Sequence, residues 1–289
     1  MKNISLHFWG ALRSECTKLL SLTSTYVLLI LNMILLPVGG ALGATSMKLL
    51  SEVSSSPTIE DAVADAGATV GALDSFLTPN IIWTSAIAAI DMSVLIVGIF
   101  GVMSLTSEYV TSSVVATFTA DPRRWQVMCT KLVSVFAFST FSSLIGLALS
   151  GGISYAILSP VISSPLEPGY EALPYVTIIG GALALGLMAV FALGLGGVCR
   201  STLGGIFSFI GVVIILPSVL SIVSLAGPYV QWVSNIAEYL PNAIIKSFVY
   251  MNNGDSGFVT WWLSAILLAV WAALAWVAGS VVVSRTDIK

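Results

Sequence analysis

The chain has 289 residues, 57% of them hydrophobic and only 9% charged, where a water-soluble domain carries about 25% charged residues. That balance excludes a water-soluble globular protein: one core cannot hide so much apolar surface, so lipid must be the solvent for most of the chain. A net charge of −3 without any basic block argues against nucleic acid as a partner.

In chain order, residues 1–24 form a mostly polar head. Within Ile4–Leu20, Phe8, Leu12, Cys16 and Leu19 recur at helical spacing, with Arg13, Glu15 and Lys18 elsewhere. This pattern predicts an amphipathic helix, either lying in a membrane interface or packed on the bundle as a linker. The first apolar run begins near Tyr26 and exceeds a signal core of roughly 7–15 residues, so the head is expected to be retained.

About 20 apolar residues cross the ~30 Å of hydrocarbon as a helix. Six runs qualify: Tyr26–Ala44, Thr84–Leu105, Leu132–Ile157, Tyr175–Val198, Leu203–Leu225 and Val259–Val282. Helices satisfy their own backbone hydrogen bonds in lipid, whereas a barrel needs short alternating strands. The expected fold is therefore an all-α polytopic membrane domain over 1–289, without repeats or a separate soluble domain. Between the runs, residues 45–83 are rich in Ser, Ala and acid. Residues 226–258 contain the semi-apolar EYLPNAIIKSFVYM, too short and broken to cross, which predicts a re-entrant or surface-lying hairpin.

Lys and Arg accumulate on the cytoplasmic side. With six spans, one side collects Lys2, Arg13, Lys18, Arg123, Arg124, Lys131, Arg200, Arg285 and Lys289, leaving only Lys48 and Lys246 opposite. Both termini are thus expected inside. Cys16, Cys129 and Cys199 fall on that same reducing side, while Glu52, Glu60, Asp61, Asp65, Asp74, Glu167, Glu171, Glu238 and Asp255 fall outside.

Enzyme signatures are missing. The one histidine, His7, rules out HExxH, no CxxC or GxSxG occurs, and no Lys follows a Gly, so there is no GxxxxGK phosphate loop. The chain is not expected to be an enzyme by itself, nor to bind a cofactor or metal. An ion-coupled carrier would need ionisable groups deep in its spans, and the one clear candidate is Asp91, two turns into the second run. It either faces a wet vestibule, pairs with a loop residue, or serves a substrate or proton path. A lone acid makes a weak relay, which favours an external motor.

The loop TADPRRW (119–125) breaks this apolar chain. Asp121 can cap a helix opening at Pro122, setting Arg123, Arg124 and Trp125 at the inner surface. With Glu108 before it, this makes a compact elbow over 107–125, suited to docking a partner or to binding anionic headgroups. Here the sequence resembles the permease subunits of type-2 ATP-binding-cassette (ABC) exporters, in their small bacterial six-span branch. The head is similar to R-x-E-x-x-K-L-x-S-x-x-S-T at Arg13, Glu15, Lys18, Leu19, Ser21, Ser24 and Thr25. The elbow is similar to E-x-R-x-G-T…P-x-R…K-L at Glu108, Pro122, Arg124, Lys131 and Leu132, departing at Val110 and Ser112. EYLPNAI (238–244) resembles the Y-L-P element before the last span.

The resemblance implies a bacterial plasma-membrane permease working as a homodimer or heterodimer with two ABC ATPase subunits, which bind the ATP and Mg. It further implies that the elbow is a coupling helix docking through Glu108, Asp121, Pro122, Arg123 and Arg124. The head becomes a connecting helix carrying Arg13, Glu15 and Lys18, and Tyr239, Leu240 and Pro241 belong to a re-entrant hairpin. Pro37 and Pro217 should bend the first and fifth spans, and the resemblance adds Pro217 to Asp91 as a substrate-path candidate. Gly194, Gly196, Gly197, Gly204 and Gly205 flank Arg200, as either a mobile hairpin or a close helix contact. The few polar side chains in the spans favour a hydrophobic or amphiphilic cargo: a lipid, peptide or drug. The rival expectations are a carrier driven through Asp91 and a non-transporting immunity or scaffold protein.

Overall fold

The computed structural model describes residues 8–54, 78, 80–110, 124–162, 166, 168–224, 231–252 and 260–285. All regular structure among them is helical. Helix α1 is Phe8–Ser21, and α2 runs Thr23–Ser54. A short α3 (Ile81–Ala86) turns into α4 (Ile90–Val110), and α5 spans Arg124–Leu158. A single turn at Leu173–Tyr175 and a wide π turn at Val176–Gly180 lead into α6, Gly181–Cys199. Helix α7 (Thr202–Ile210) passes through a second π turn, Gly211–Ile215, into α8 (Leu216–Ser224). Two short helices, α9 (Gln231–Glu238) and α10 (Pro241–Val249), precede α11, Trp261–Arg285.

Six of these stretches are long and apolar enough to cross a membrane: Thr23–Val53, Ile81–Tyr109, Trp125–Leu158, Leu173–Cys199, Thr202–Ser224 and Trp261–Arg285. The chain is a multi-pass membrane protein. Several helices outrun the apolar runs that nucleate them. α2 continues through Ser54, because Met47, Lys48, Leu49, Leu50 and Glu52 are good helix formers that extend a helix into polar surroundings.

The centre of the bundle is α6, which packs against α4, α5, α7 and α11. Its small residues make this possible. A Cβ on Gly194 would lie 2.3 Å from the Ala275 carbonyl carbon, and one on Gly279 would lie 2.5 Å from the Gly194 carbonyl oxygen. Backbone therefore meets backbone along the α6–α11 seam, the packing that small residues permit between helices in lipid. Gly197 against Gly279 continues this contact, and Gly205 against Gly196 makes a second one between α6 and α7, so these glycines serve close packing. Arg200 caps α6 in the left-handed region (φ 51), and its Nη2 donates to the Val282 carbonyl, 3.1 Å away.

By contrast, the Thr202–Ser224 stretch is barely covered, and Leu203, Phe207, Ile215 and Ile222 present exposed apolar surface for lipid. Its π turn ends just ahead of Pro217. Proline has no N–H to give the helical ladder, and a wide turn loosens the ladder where that donor is missing. Pro37 instead stands inside an unbroken α2.

One polar node lies within the core. The Asn32 amide nitrogen donates to Ser143 Oγ at 3.0 Å and Ser142 Oγ at 3.4 Å, while Ser93 Oγ donates to Asn32 Oδ1. Asn32, Ser93 and Ser143 are wholly buried. In lipid an unmet amide is costly, so this mutual satisfaction ties α2, α4 and α5 together.

Candidate functional site

Four charged side chains meet where α1 crosses the start of α5 and the end of α4. Ala11, Glu15 and Leu19, four residues apart, form the buried side of α1, so Glu15, expected off the apolar face, points inward and is only 3% exposed, while Phe8 is exposed. Lys131, about two turns into α5, is also buried. Its ammonium stands 2.7 Å from Glu15 Oε2 and 2.6 Å from Glu108 Oε1. Lys18, three residues after Glu15, closes the ring from the solvent side at 2.7 Å from Glu15 Oε1 and 3.4 Å from Glu108 Oε1. Two acids and two bases alternate around a cavity of about 260 Å³ that Leu22, Ser104 and Ser107 also line.

Taking an ammonium out of water costs several kcal/mol unless opposite charge surrounds it. Two carboxylates on separate helices supply that charge for Lys131, so its burial depends on α1 staying docked. Burial would raise the Glu15 carboxyl, but the ammonium groups of Lys131 and Lys18 outweigh it and hold the group below its ordinary value. Burial would lower Lys18, but Glu15 and Glu108 outweigh it and hold the amine above its ordinary value.

A pH dependence follows. The Glu15 contribution is full above its unfolded pKa, near 4.5, and is lost as pH falls through the depressed folded value. The Lys18 contribution is full below 10.5 and is lost as pH rises through its raised value. Spin labels at the exposed Leu20 of α1 and Val133 of α5 should report a constant separation between those limits. The separation should broaden in acid below that window. Broadening between pH 5 and 9 would contradict the assignment.

Of the residues singled out in the sequence, the structure brings Glu15, Lys18 and Glu108 into this one cluster. Arg13 is exposed on the other side of α1, beside a shallow recess with Ser14 and Thr17. Arg124 opens α5. Asp121, Pro122 and Arg123, and with them most of the 107–125 elbow, lie outside the described residues, as does His7. Lys131 reads in the sequence as one more inside-facing base and a motif match, because spacing cannot show that it is buried. Cys16, Cys129 and Cys199 are free thiols at this same end of the bundle.

At the opposite end, Asp91 in the first turn of α4 pairs with Lys246 of α10 at 2.9 Å. Both are half-exposed, so of the readings open for Asp91, pairing with a loop residue is the one observed. Tyr250, just after α10, has its phenol raised by burial and then by the Asp91 charge. Leu240 is buried and extended, Pro241 occupies the first turn of α10, and the exposed Tyr239 accepts the Trp271 indole N–H at 3.0 Å. α10 packs against α11, and α9 lies against α8. Pro217 lines an open cavity beside α9 and α10.

No protein-family model matches the chain, and no curated protein matches it significantly.

Proposed function

We propose that this chain is the membrane permease subunit of an ATP-driven exporter of the type-2 ABC class, coupling ATP hydrolysis in a separate subunit to movement of a hydrophobic or amphiphilic cargo. In this reading the chain sits in a bacterial plasma membrane with both termini inside and works as a dimer with two ATPase subunits. The observation that carries it is the Glu15–Lys131–Glu108–Lys18 cluster. Residues 116 apart in sequence, Glu15 and Lys131 come from two different stretches of the resemblance, yet they share one buried ion pair.

The cluster joins the two sides of the 107–125 elbow, with Glu108 at its start on the end of α4 and Lys131 on the helix leaving it. A push on the elbow from a closing ATPase dimer would move α4 and α5, and the ion pairs would carry α1 with them. The head then acts as a connecting helix, the elbow as a coupling helix and the α9–α10 pair as the external re-entrant hairpin. The paired, half-exposed state of Asp91 supports a structural role there better than a proton relay.

The test is capture of an ABC ATPase subunit from detergent extracts of cells expressing both proteins. The wild-type chain should recover it, and changing Arg123 and Arg124 together to Glu should cut recovery by at least tenfold. Equal recovery with the double variant would remove the docking role. Uphill transport by vesicles holding this chain alone would remove the exporter reading and favour a gradient-driven carrier.

A further inference from the structure

At the end of the bundle away from α1, the second half of the fifth span and the α9–α10 elbow enclose an open cavity of about 430 Å³. Its polar lining comes from Ser218, Ser221 and Ser224 on α8, Glu238 on α9, and Asn242 and Lys246 on α10. The hydrogen-bonding capacity of these groups is one-sided. The three serine hydroxyls donate to carbonyls of their own helix, Ser218 to Ile214, Ser221 to Pro217 and Ser224 to Ser221. Their hydrogens are spent, so what they offer the cavity is acceptor lone pairs. Asn242 Oδ1 is buried and has no hydrogen-bond partner. No cation pairs with Glu238 among the described residues, and its partial burial leaves the carboxyl above its ordinary value. Against these acceptors stand two donors: the Asn242 amide NH2 and the Lys246 ammonium, which Asp91 already engages.

The charges therefore do not balance. Glu238 and Asp91 against Lys246 leave the mouth of the cavity negative, and the three serine hydroxyls and Asn242 Oδ1 add acceptors. Pro217, Ala237 and Ala243 complete the walls, and Ile222 stands exposed one turn beyond Ser218 on the same helix. A site of this kind suits a molecule that brings N–H donors and positive charge on an apolar body.

We propose that this cavity binds a cationic amphiphile, its ammonium group on the Glu238 carboxylate with Asn242 Oδ1 and Ser221 Oγ accepting further N–H bonds, and its tail along α8. The assignment rests on the exporter reading and names the class of cargo. Anionic amphiphiles are refused because they meet the Glu238 carboxylate, and neutral ones lack the charge that would complement it.

The experiment uses the full chain in nanodiscs of a zwitterionic phospholipid, without ATPase, and measures displacement of a fluorescent alkylammonium reporter against empty nanodiscs. Dodecylammonium should displace it saturably, and dodecyl sulfate and dodecanol should not. Glu238→Gln should weaken dodecylammonium about tenfold, since a charge-assisted hydrogen bond becomes a neutral one. Glu238→Asp should retain most binding, and Ser221→Val should weaken it severalfold. Equal competition by dodecanol, or wild-type affinity in Glu238→Gln, would overturn the proposal. So would displacement by added short-chain phosphatidylcholine at matched affinity, which would assign the cavity to bilayer lipid. Because no ATPase takes part, failure here is separable from failure of ATPase capture.

Discussion

Lys131→Met should destabilise the chain by about 3–5 kcal/mol, the cost of leaving buried charge without its partner. The change keeps the length and apolar stem of the side chain but removes the ammonium 2.7 Å from Glu15 and 2.6 Å from Glu108. Two carboxylates, 4% and 12% exposed, would then face one another without the ammonium between them. Lys18 cannot replace it, being 40% exposed and held at the rim of the cluster. Unfolding of the detergent-solubilised protein by dodecyl sulfate should shift to markedly lower denaturant. A triple variant adding Glu15→Gln and Glu108→Gln should recover most of the loss, since a neutral hydrogen-bonded set no longer carries unpaired charge. If the exporter reading holds, that triple variant should fold and still lose cargo-stimulated ATPase activity. A single Lys131→Met variant with wild-type stability would show that the cluster is not what seats α1.

The second large effect is expected at the α6–α11 seam. In Gly194→Val, the new Cβ would meet the Ala275 carbonyl carbon at 2.3 Å, its oxygen at 2.4 Å and the Trp276 nitrogen at 2.6 Å. These are backbone atoms of a helix and cannot rotate aside, so α11 must shift bodily. Overpacking of this kind costs about 1–3 kcal/mol and more where backbone is involved. Gly152→Ala is the matched control: it lies in the exposed part of α5, nothing approaches its Cβ position, and the added methyl should be neutral or mildly stabilising. Size-exclusion profiles and denaturant midpoints of the two variants should diverge accordingly. Similar midpoints would mean that the seam is looser than the structure has it.

The helices were largely legible in advance, and the contacts between them were not. Apolar runs of twenty residues in lipid leave helix as the only economical backbone, so the six crossings follow from composition and length. The head was readable as a helix but not by the side it buries: Ala11, Glu15 and Leu19 face inward, while Phe8 of the apolar pattern is exposed. What a linear reading cannot supply is depth within the bundle. Lys131 looks like one more basic residue at a membrane boundary, and its burial depends on Glu15 arriving from 116 residues earlier. Asn32 looks like a stray polar residue in an apolar run, and its meaning comes only from Ser93, Ser142 and Ser143. Asp91 was visible as an anomaly, but Lys246 sits in a segment whose fold hydropathy does not determine. The π turns at Val176–Gly180 and Gly211–Ile215 carry no sequence mark at all, since Gly and β-branched residues occur equally in ordinary spans. Equally apolar stretches also differ in surroundings: Leu173–Cys199 is mostly enclosed and Thr202–Ser224 hardly at all.

The glycine seam bears on how the protein is made. α6 emerges from the ribosome before the helix with which it packs most extensively, α11. Until that partner arrives, the groove of Gly194 and Gly197 lies open in the bilayer, with no bulky side chain to shield its carbonyls. A nascent chain halted between these two helices would hold its earlier crossings yet keep an unsealed flank.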